Sequence, residues 1–175
     1  MSKDGDTERL RRVLIVCTGN LCRSPMAAGL LRQRLTVEGK HDALEIVSAG
    51  VLGMEGAAAS PQAIAVMAQR GVDIAGHRAQ SLKRSHVEEA DLILVMEEGH
   101  RRSVFGLQPA ALGKTFLLSE MAGESGEVDD PYRLRIEDYA ACADELDRLV
   151  SLGLGEILRR AGISRQEEQG DSASG

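Results

Sequence analysis

Two runs in this sequence are apolar at every position: VLIVC at residues 13–17 and LILVM at residues 92–96. Each is too short for a helix, and neither alternates, so each reads as a strand with both faces covered. A sheet covered on both faces is parallel, and its connections are helices. The rest of the chain has the spacing to supply them. Residues 24–37 place Met26, Ala27, Leu30, Leu31 and Leu35 at helical intervals. LEIVSA at 44–49 reads as a second strand, and Ser60-Pro61 as an N-cap and first-turn pair opening a helix that runs to Arg70 and closes at Gly71. Residues 82–90 and 97–105 read as short helices, 115–118 as a weak strand, and 119–132 as a loop rich in glycine and acidic residues. Residues 136–160 form one long helix on an apolar stripe that includes Tyr139, Leu146, Val150 and Ile157, with Gly153 and Gly155 as potential breaks. The expectation is one α/β domain over residues 12–160, with a flexible segment at 1–11 and a disordered tail at 161–175.

Composition narrows the class of partner. A chain of 175 residues buries a core without disulfides. The net charge of −6 and an aromatic content of 2% argue against nucleic acid, which wants a basic face or stacking platforms. Any phosphate bound here must therefore be held by a local site. No apolar stretch approaches a membrane span or a signal peptide, so no membrane partner is expected. Three cysteines are an odd, low count, unlike a secreted disulfide framework, and a reducing cytoplasm is the expected home.

Parallel sheets bind ligands at the carboxyl ends of their strands, so the loop after the first strand is the first place to look. It reads Cys17-Thr18-Gly19-Asn20-Leu21-Cys22-Arg23-Ser24-Pro25. The pattern suits an oxyanion. Gly19 offers positive φ, which turns successive N–H groups inward as a nest. The helix that follows adds free N–H groups and the positive end of its dipole. Arg23 offers a planar fork matching two phosphate oxygens, and the same field favours a thiolate at Cys17. Pro25 costs nothing in a first helical turn. No Cys/His spacing suggests zinc, and no cofactor motif is present, so neither metal nor cofactor is expected.

These residues resemble the low-molecular-weight protein tyrosine phosphatases and their bacterial relatives. The likeness is carried by VLIVCTGNLCRSPMA at 13–27, with VSAG at 47–50, GHRA at 76–79, DLILVM at 91–96 and Asp130-Pro131-Tyr132, and it spans residues 12–150 in the family's order. It implies a four-stranded parallel sheet in order 2-1-3-4 flanked by helices. It also implies metal-free phosphomonoester hydrolysis through a cysteinyl-phosphate intermediate. A cysteine can attack phosphorus, but a phenolate leaves slowly without a proton, so a general acid is needed on another loop of the same edge. The family's Asp-Pro-Tyr motif assigns that role to Asp130, with Asp129 as the local competitor. Ser24 can donate to the Cys17 sulfur. Asn20, Ser48 and His77 match family positions that hydrogen-bond beneath the loop. Cys22 has two readings: a small buried residue, or, from the resemblance, a partner for a reversible disulfide with Cys17. Cys142 lies among alanines on the long helix and reads as core.

Specificity is carried by fewer residues. Tyr132 resembles one aromatic wall of the family's pocket. The opposite wall falls in VLGMEG at 51–56, where Met54 is the counterpart, so a phenyl ring would meet an aromatic face on one side and a thioether on the other. Leu21 stands where relatives acting on phosphoarginine carry Thr and tyrosine-directed ones an aliphatic residue. Arg133-Leu134-Arg135 is similar to bacterial enzymes paired with a bacterial tyrosine kinase. It reads either as a basic patch for acidic peptide flanks or as a solvated turn. The expected function is phosphotyrosine hydrolysis on a phosphorylated protein substrate, with protein arginine phosphatase as the alternative. A thiol-coupled arsenate reductase on the same fold needs two further relay cysteines, and after Cys22 only Cys142 remains.

Overall fold

The computed structural model describes residues 9–163. Residues 1–8 and 164–175, which hold most of the two expected terminal segments, lie outside the described residues. The elements run β1 (Arg11–Cys17), α1 (Arg23–Val37), β2 (Leu44–Gly50), α2 (Pro61–Gln69), α3 (Arg84–Glu89), β3 (Leu92–Val95), α4 (Glu98–Leu107), a 3₁₀ turn (Pro109–Lys114), β4 (Thr115–Leu117), α5 (Leu118–Met121) and α6 (Ile136–Arg160). The sheet is parallel with strand order 2-1-3-4, as the family likeness implied. Among the described residues no helix is long and apolar enough to cross a membrane.

The all-apolar strands sort their side chains by parity. Val13, Ile15 and Cys17 of β1 join Leu92 and Leu94 of β3 in the core shared with α1, α2 and α6. Leu14, Val16, Ile93 and Val95 face the other way, into a smaller core with Val87 of α3 and Val104 of α4. Both faces of the sheet are thus covered, which is what continuous apolar runs require. Cys17 is the last residue of β1, so the strand ends with its sulfur at the carboxyl edge of the sheet. β2 pairs on one side of β1 and β3 on the other, so this edge is also the point where strand order switches.

Several expectations need correction. Ser60 does not cap α2 with its side chain; its hydroxyl lies 3.1 Å from the Cys22 sulfur, a buried partner that outcompetes a helix end. The segment 119–132 is not loop throughout. Leu118 and Met121 are both buried against α6, and the Glu120 carboxylate accepts the Leu117 N–H at 2.7 Å, which closes the short helix α5. The 3₁₀ turn before β4 was not anticipated either. Gly153 and Gly155 do not interrupt α6. At Gly153 a Cβ would lie 2.8 Å from the Met121 Cβ and 3.0 Å from its carbonyl carbon, so the missing side chain is what lets α6 approach α5. Ile136, at the start of the expected stripe, is exposed. Of the segments expected to be loose, Arg11 already belongs to β1 and Ala161 is buried against the core.

Candidate active site

The loop from Cys17 to Arg23 is held from outside by its carbonyls. Cys17 O accepts the Val51 N–H at 3.0 Å, Thr18 O accepts Leu52 N–H at 2.9 Å, and Gly19 O accepts Met54 N–H at 3.2 Å. Leu21 O accepts Ser60 N–H at 2.9 Å, and Cys22 O accepts Met26 N–H at 3.1 Å within the start of α1. With the carbonyls engaged outward, the peptide N–H groups are left on the concave side, the arrangement an anion nest needs. The close approach depends on Gly50, where a Cβ would lie 2.5 Å from Thr18 O and 2.8 Å from Asn20 N.

The residue in the left-handed region is Asn20, at φ 59°, and not Gly19. Asparagine tolerates this conformation better than other residues with a side chain, and here its amide is fixed in place. Its Nδ2 donates to Ser24 Oγ at 2.7 Å and to Ser48 Oγ at 3.0 Å, and its Oδ1 accepts the Gln80 N–H at 3.0 Å. His77 Nε2 donates to the Asn20 carbonyl at 2.7 Å, since a carbonyl can only accept. Burial is the main cause that holds the His77 pKa below its ordinary value, so the ring serves as a neutral donor. Ser24 Oγ lies 2.9 Å from the Cys17 sulfur. Because that oxygen already accepts from Asn20, its hydrogen is free for the sulfur.

Arg23 opens α1 and is almost wholly buried. Its Nη1 donates to Glu97 Oε1 at 2.6 Å and to the Val128 carbonyl at 2.7 Å, which uses both hydrogens of that nitrogen. Nη2 donates to Thr18 Oγ1 at 3.2 Å and lies 3.4 Å from Asp130 Oδ2. The edge left for an oxyanion is therefore the one formed by Nε and Nη2. Asp130 is oriented by its own turn, since Oδ1 accepts the Tyr132 N–H at 3.1 Å. Asp129 points away. It lines a neighbouring groove with Glu127 and Cys142, which Asp130 also borders, and is absent from the wall of the Cys17 cavity.

One cavity is lined by Cys17, Arg23 and Asp130 together. Its wall also includes Thr18, Gly19, Leu21 and Cys22 of the loop, and Met54 and Tyr132 at the mouth. Asn20, Ser24, Ser48 and His77 stand behind the loop and not in the cavity. The Arg133 guanidinium lies 5.4 Å from the centre of the Tyr132 ring, which brings the basic turn to the same mouth. Leu52, within the 51–56 stretch expected to form the opposite wall, lines the cavity beside Met54, whereas Glu97 and His100, which bond to Arg23 and Thr18, were missed from sequence. A signal for the last two existed: Glu-x-x-His directly after β3 starts a helix at the same sheet edge. The three cysteines are free thiols. Burial pushes the Cys22 thiol up, and that of Cys142 up to about 12, so neither is a ready nucleophile.

A family model described as low molecular weight phosphotyrosine protein phosphatase matches residues 12–164. A relative described as a probable low molecular weight protein-tyrosine-phosphatase EpsP, from Ralstonia solanacearum, is 46% identical over 124 residues, 71% of this chain and 80% of that one. A protein-arginine-phosphatase from Geobacillus stearothermophilus is 41% identical over 140 residues, 79% of this chain and 90% of its own length. Among solved structures, a low molecular weight protein tyrosine phosphatase from T. tengcongensis superposes with a TM-score of 0.79 at 41% identity, covering 83% of this chain and 99% of that one.

Proposed function

The chain belongs to the low molecular weight phosphotyrosine protein phosphatase family and is a phosphoric monoester hydrolase; from that premise we propose the following reaction on protein phosphotyrosine. The phosphoryl group sits in the nest of loop N–H groups, with two of its oxygens on the Nε and Nη2 edge of Arg23. The Cys17 thiolate attacks phosphorus along the axis opposite the phenolic oxygen. The P–O bond breaks as the P–S bond forms, and Asp130 gives its proton to the departing phenolate. The product is a cysteinyl phosphate. Water then attacks phosphorus, Asp130 takes its proton, the P–S bond breaks, and inorganic phosphate leaves while the Ser24 hydroxyl receives the thiolate. These residues supply nucleophile, charge neutralisation and proton, so the sequence of steps calls on no metal or cofactor.

The single observation that carries this reading is the convergence on one cavity of Cys17 and Arg23, from the two ends of one loop, with Asp130, from a segment more than a hundred residues away. The mouth favours a ring. Tyr132 offers an aromatic face, and Leu21, Leu52 and Met54 supply apolar contact. The Arg133 and Arg135 side chains suit acidic residues flanking the phosphorylated position, as on a bacterial tyrosine kinase tail. The free thiols suit a reducing cytoplasm.

A second reading, protein arginine phosphatase, is favoured by the 41% identity to the Geobacillus protein. Leu21 weighs against it. A guanidinium at the mouth would want polar partners, and Asp130 is the one carboxylate among the residues of this cavity wall. Turnover of phosphotyrosine, phosphoserine and phosphoarginine peptides, measured side by side, tests the proposal. The expected result is the highest kcat/KM on phosphotyrosine. A higher value on phosphoarginine would overturn it in favour of the second reading.

A further inference from the structure

Thr18 receives two hydrogen bonds on one hydroxyl oxygen. Arg23 Nη2 lies 3.2 Å from Thr18 Oγ1, and a guanidinium can only donate. His100 Nε2 lies 2.9 Å from the same oxygen. The direction of that bond is set at the other ring nitrogen. Nδ1 accepts the Glu97 peptide N–H at 3.2 Å, so the ring hydrogen of neutral His100 is on Nε2, and Nε2 donates. Burial first, and then the charge of Arg23, hold the His100 pKa below its ordinary value, while the carboxylates of Glu97, Asp130 and Glu127 act in the opposite sense. Both lone pairs of the Thr18 oxygen are then filled. Its own hydrogen must point elsewhere, and among the described residues no protein acceptor takes it. Thr18 lines the Cys17 cavity.

We propose that the Thr18 hydroxyl donates a hydrogen bond to an oxygen of the bound phosphoryl group, and that His100 is the positioning residue that aims it. The inference rests on the phosphoryl-transfer reading of this cavity and deepens it. It adds a neutral side-chain donor to a site otherwise made of peptide N–H groups and Arg23. It also gives a buried histidine, which touches no reacting atom, a defined task. Without His100, one lone pair of Thr18 falls empty and the hydroxyl can rotate its hydrogen away from the cavity.

The test is the dissociation constant of inorganic phosphate, measured by titration calorimetry on the intact chain, which does not depend on turnover. Thr18→Val keeps the shape and removes the hydroxyl, and should weaken phosphate binding about tenfold, while Thr18→Ser stays near wild type. His100→Leu should weaken binding by a similar factor. His100→Gln, which keeps a donor within reach, should recover most of it. In the double variant Thr18→Val with His100→Leu, the loss should be no greater than in Thr18→Val alone, because His100 acts through the hydroxyl. Should His100→Leu not fold, His100→Phe, which fills the ring's place without a donor, carries the same comparison in the Thr18→Val and wild-type backgrounds. Phosphate binding within twofold of wild type in Thr18→Val overturns the hydroxyl's role, and additive losses in the double variant overturn the positioning role of His100. If the wild type binds phosphate as described and yet turns over no phosphotyrosine, it is the proposed reaction that fails, and this inference stands.

Discussion

The floor and the mouth of the cavity are built by opposite rules. On the floor and just behind it, Arg23 is 1% exposed and Asn20 and Ser24 0%; Arg23 and Asn20 are held by hydrogen bonds from segments far apart in sequence, and Ser24 by Asn20. At the mouth, Leu52 is 73% exposed, Met54 53% and Tyr132 42%. Fixed donors on a buried floor stabilise developing charge without reorganising, which is where electrostatic catalysis is strongest. Exposed thioether, leucine and tyrosine side chains adapt to what enters. The two regions share a backbone, since the peptides of Val51, Leu52 and Met54 clamp the loop carbonyls while two of their side chains line the mouth. Recognition can therefore be altered by side-chain substitution without disturbing the floor, whereas a backbone change at 51–54 would reach both.

The largest effect is expected at Asp130, the proposed acid. Asp130→Asn should lower kcat roughly 10²–10⁴-fold on aryl phosphates with poor leaving groups, and much less where the phenol is already acidic. Asp129→Asn, at a residue that does not line the Cys17 cavity, should leave that dependence intact, and a plot of kcat against leaving-group acidity for both variants checks the pair. Next comes the floor's hub. Asn20→Ala removes three side-chain hydrogen bonds and keeps the left-handed backbone strain at φ 59°, so it should cost about 2–4 kcal/mol of stability in denaturant unfolding. Asn20→Gly relieves the strain and loses the same bonds, so it should fall between Asn20→Ala and wild type. A smaller effect is expected at the mouth. Leu21→Thr removes apolar contact with a phenyl ring, worth about 1 kcal/mol, and should shift the phosphotyrosine-to-phosphoarginine ratio of kcat/KM several-fold toward arginine, with stability unchanged. An unchanged ratio would move specificity to Leu52 and Met54.

The smallest effect sharpens the floor by pH. His77, His86 and His100 are all pushed below their ordinary value of 6.5, with burial the leading cause in each. The folded chain holds these rings neutral where the unfolded chain would protonate them, so their contribution to stability is full above pH 6.5 and is lost as pH falls below it. Thermal unfolding should therefore show a falling midpoint between about pH 7 and about pH 5. His77→Asn, which can still donate to the Asn20 carbonyl, should flatten part of that fall.

What was legible in the sequence was what is local. Cys17, the five residues after it and Arg23 form one contiguous turn between an apolar strand and a helix, so strand, nest and helix dipole could be read from adjacent residues. Asp130 was singled out by its likeness to the family's Asp-Pro-Tyr motif. Gly19 was given the left-handed role because glycine is the default for it. The structure gives it to Asn20, whose long-range bonds to Ser48 and Gln80 no spacing rule foretells. Ser60 has the local signature of a cap, yet its hydroxyl is turned to a thiol 38 residues away in sequence. Glu97 and His100 were hidden for the same reason. Their partners, Arg23 and Thr18, lie in another segment, and only the shared sheet edge joins them.

The central claim is that Cys17 itself accepts the phosphoryl group on this fixed floor. The direct measurement mixes the wild-type chain with a phosphotyrosine peptide, quenches on the millisecond scale, and maps the protein's phosphoryl group by mass spectrometry of its fragments. The account predicts a burst of free tyrosine peptide stoichiometric with enzyme and a phosphoryl group on Cys17, both absent in Cys17→Ser. Turnover that survives in Cys17→Ser, or a phosphoryl group carried by any other residue, would contradict it.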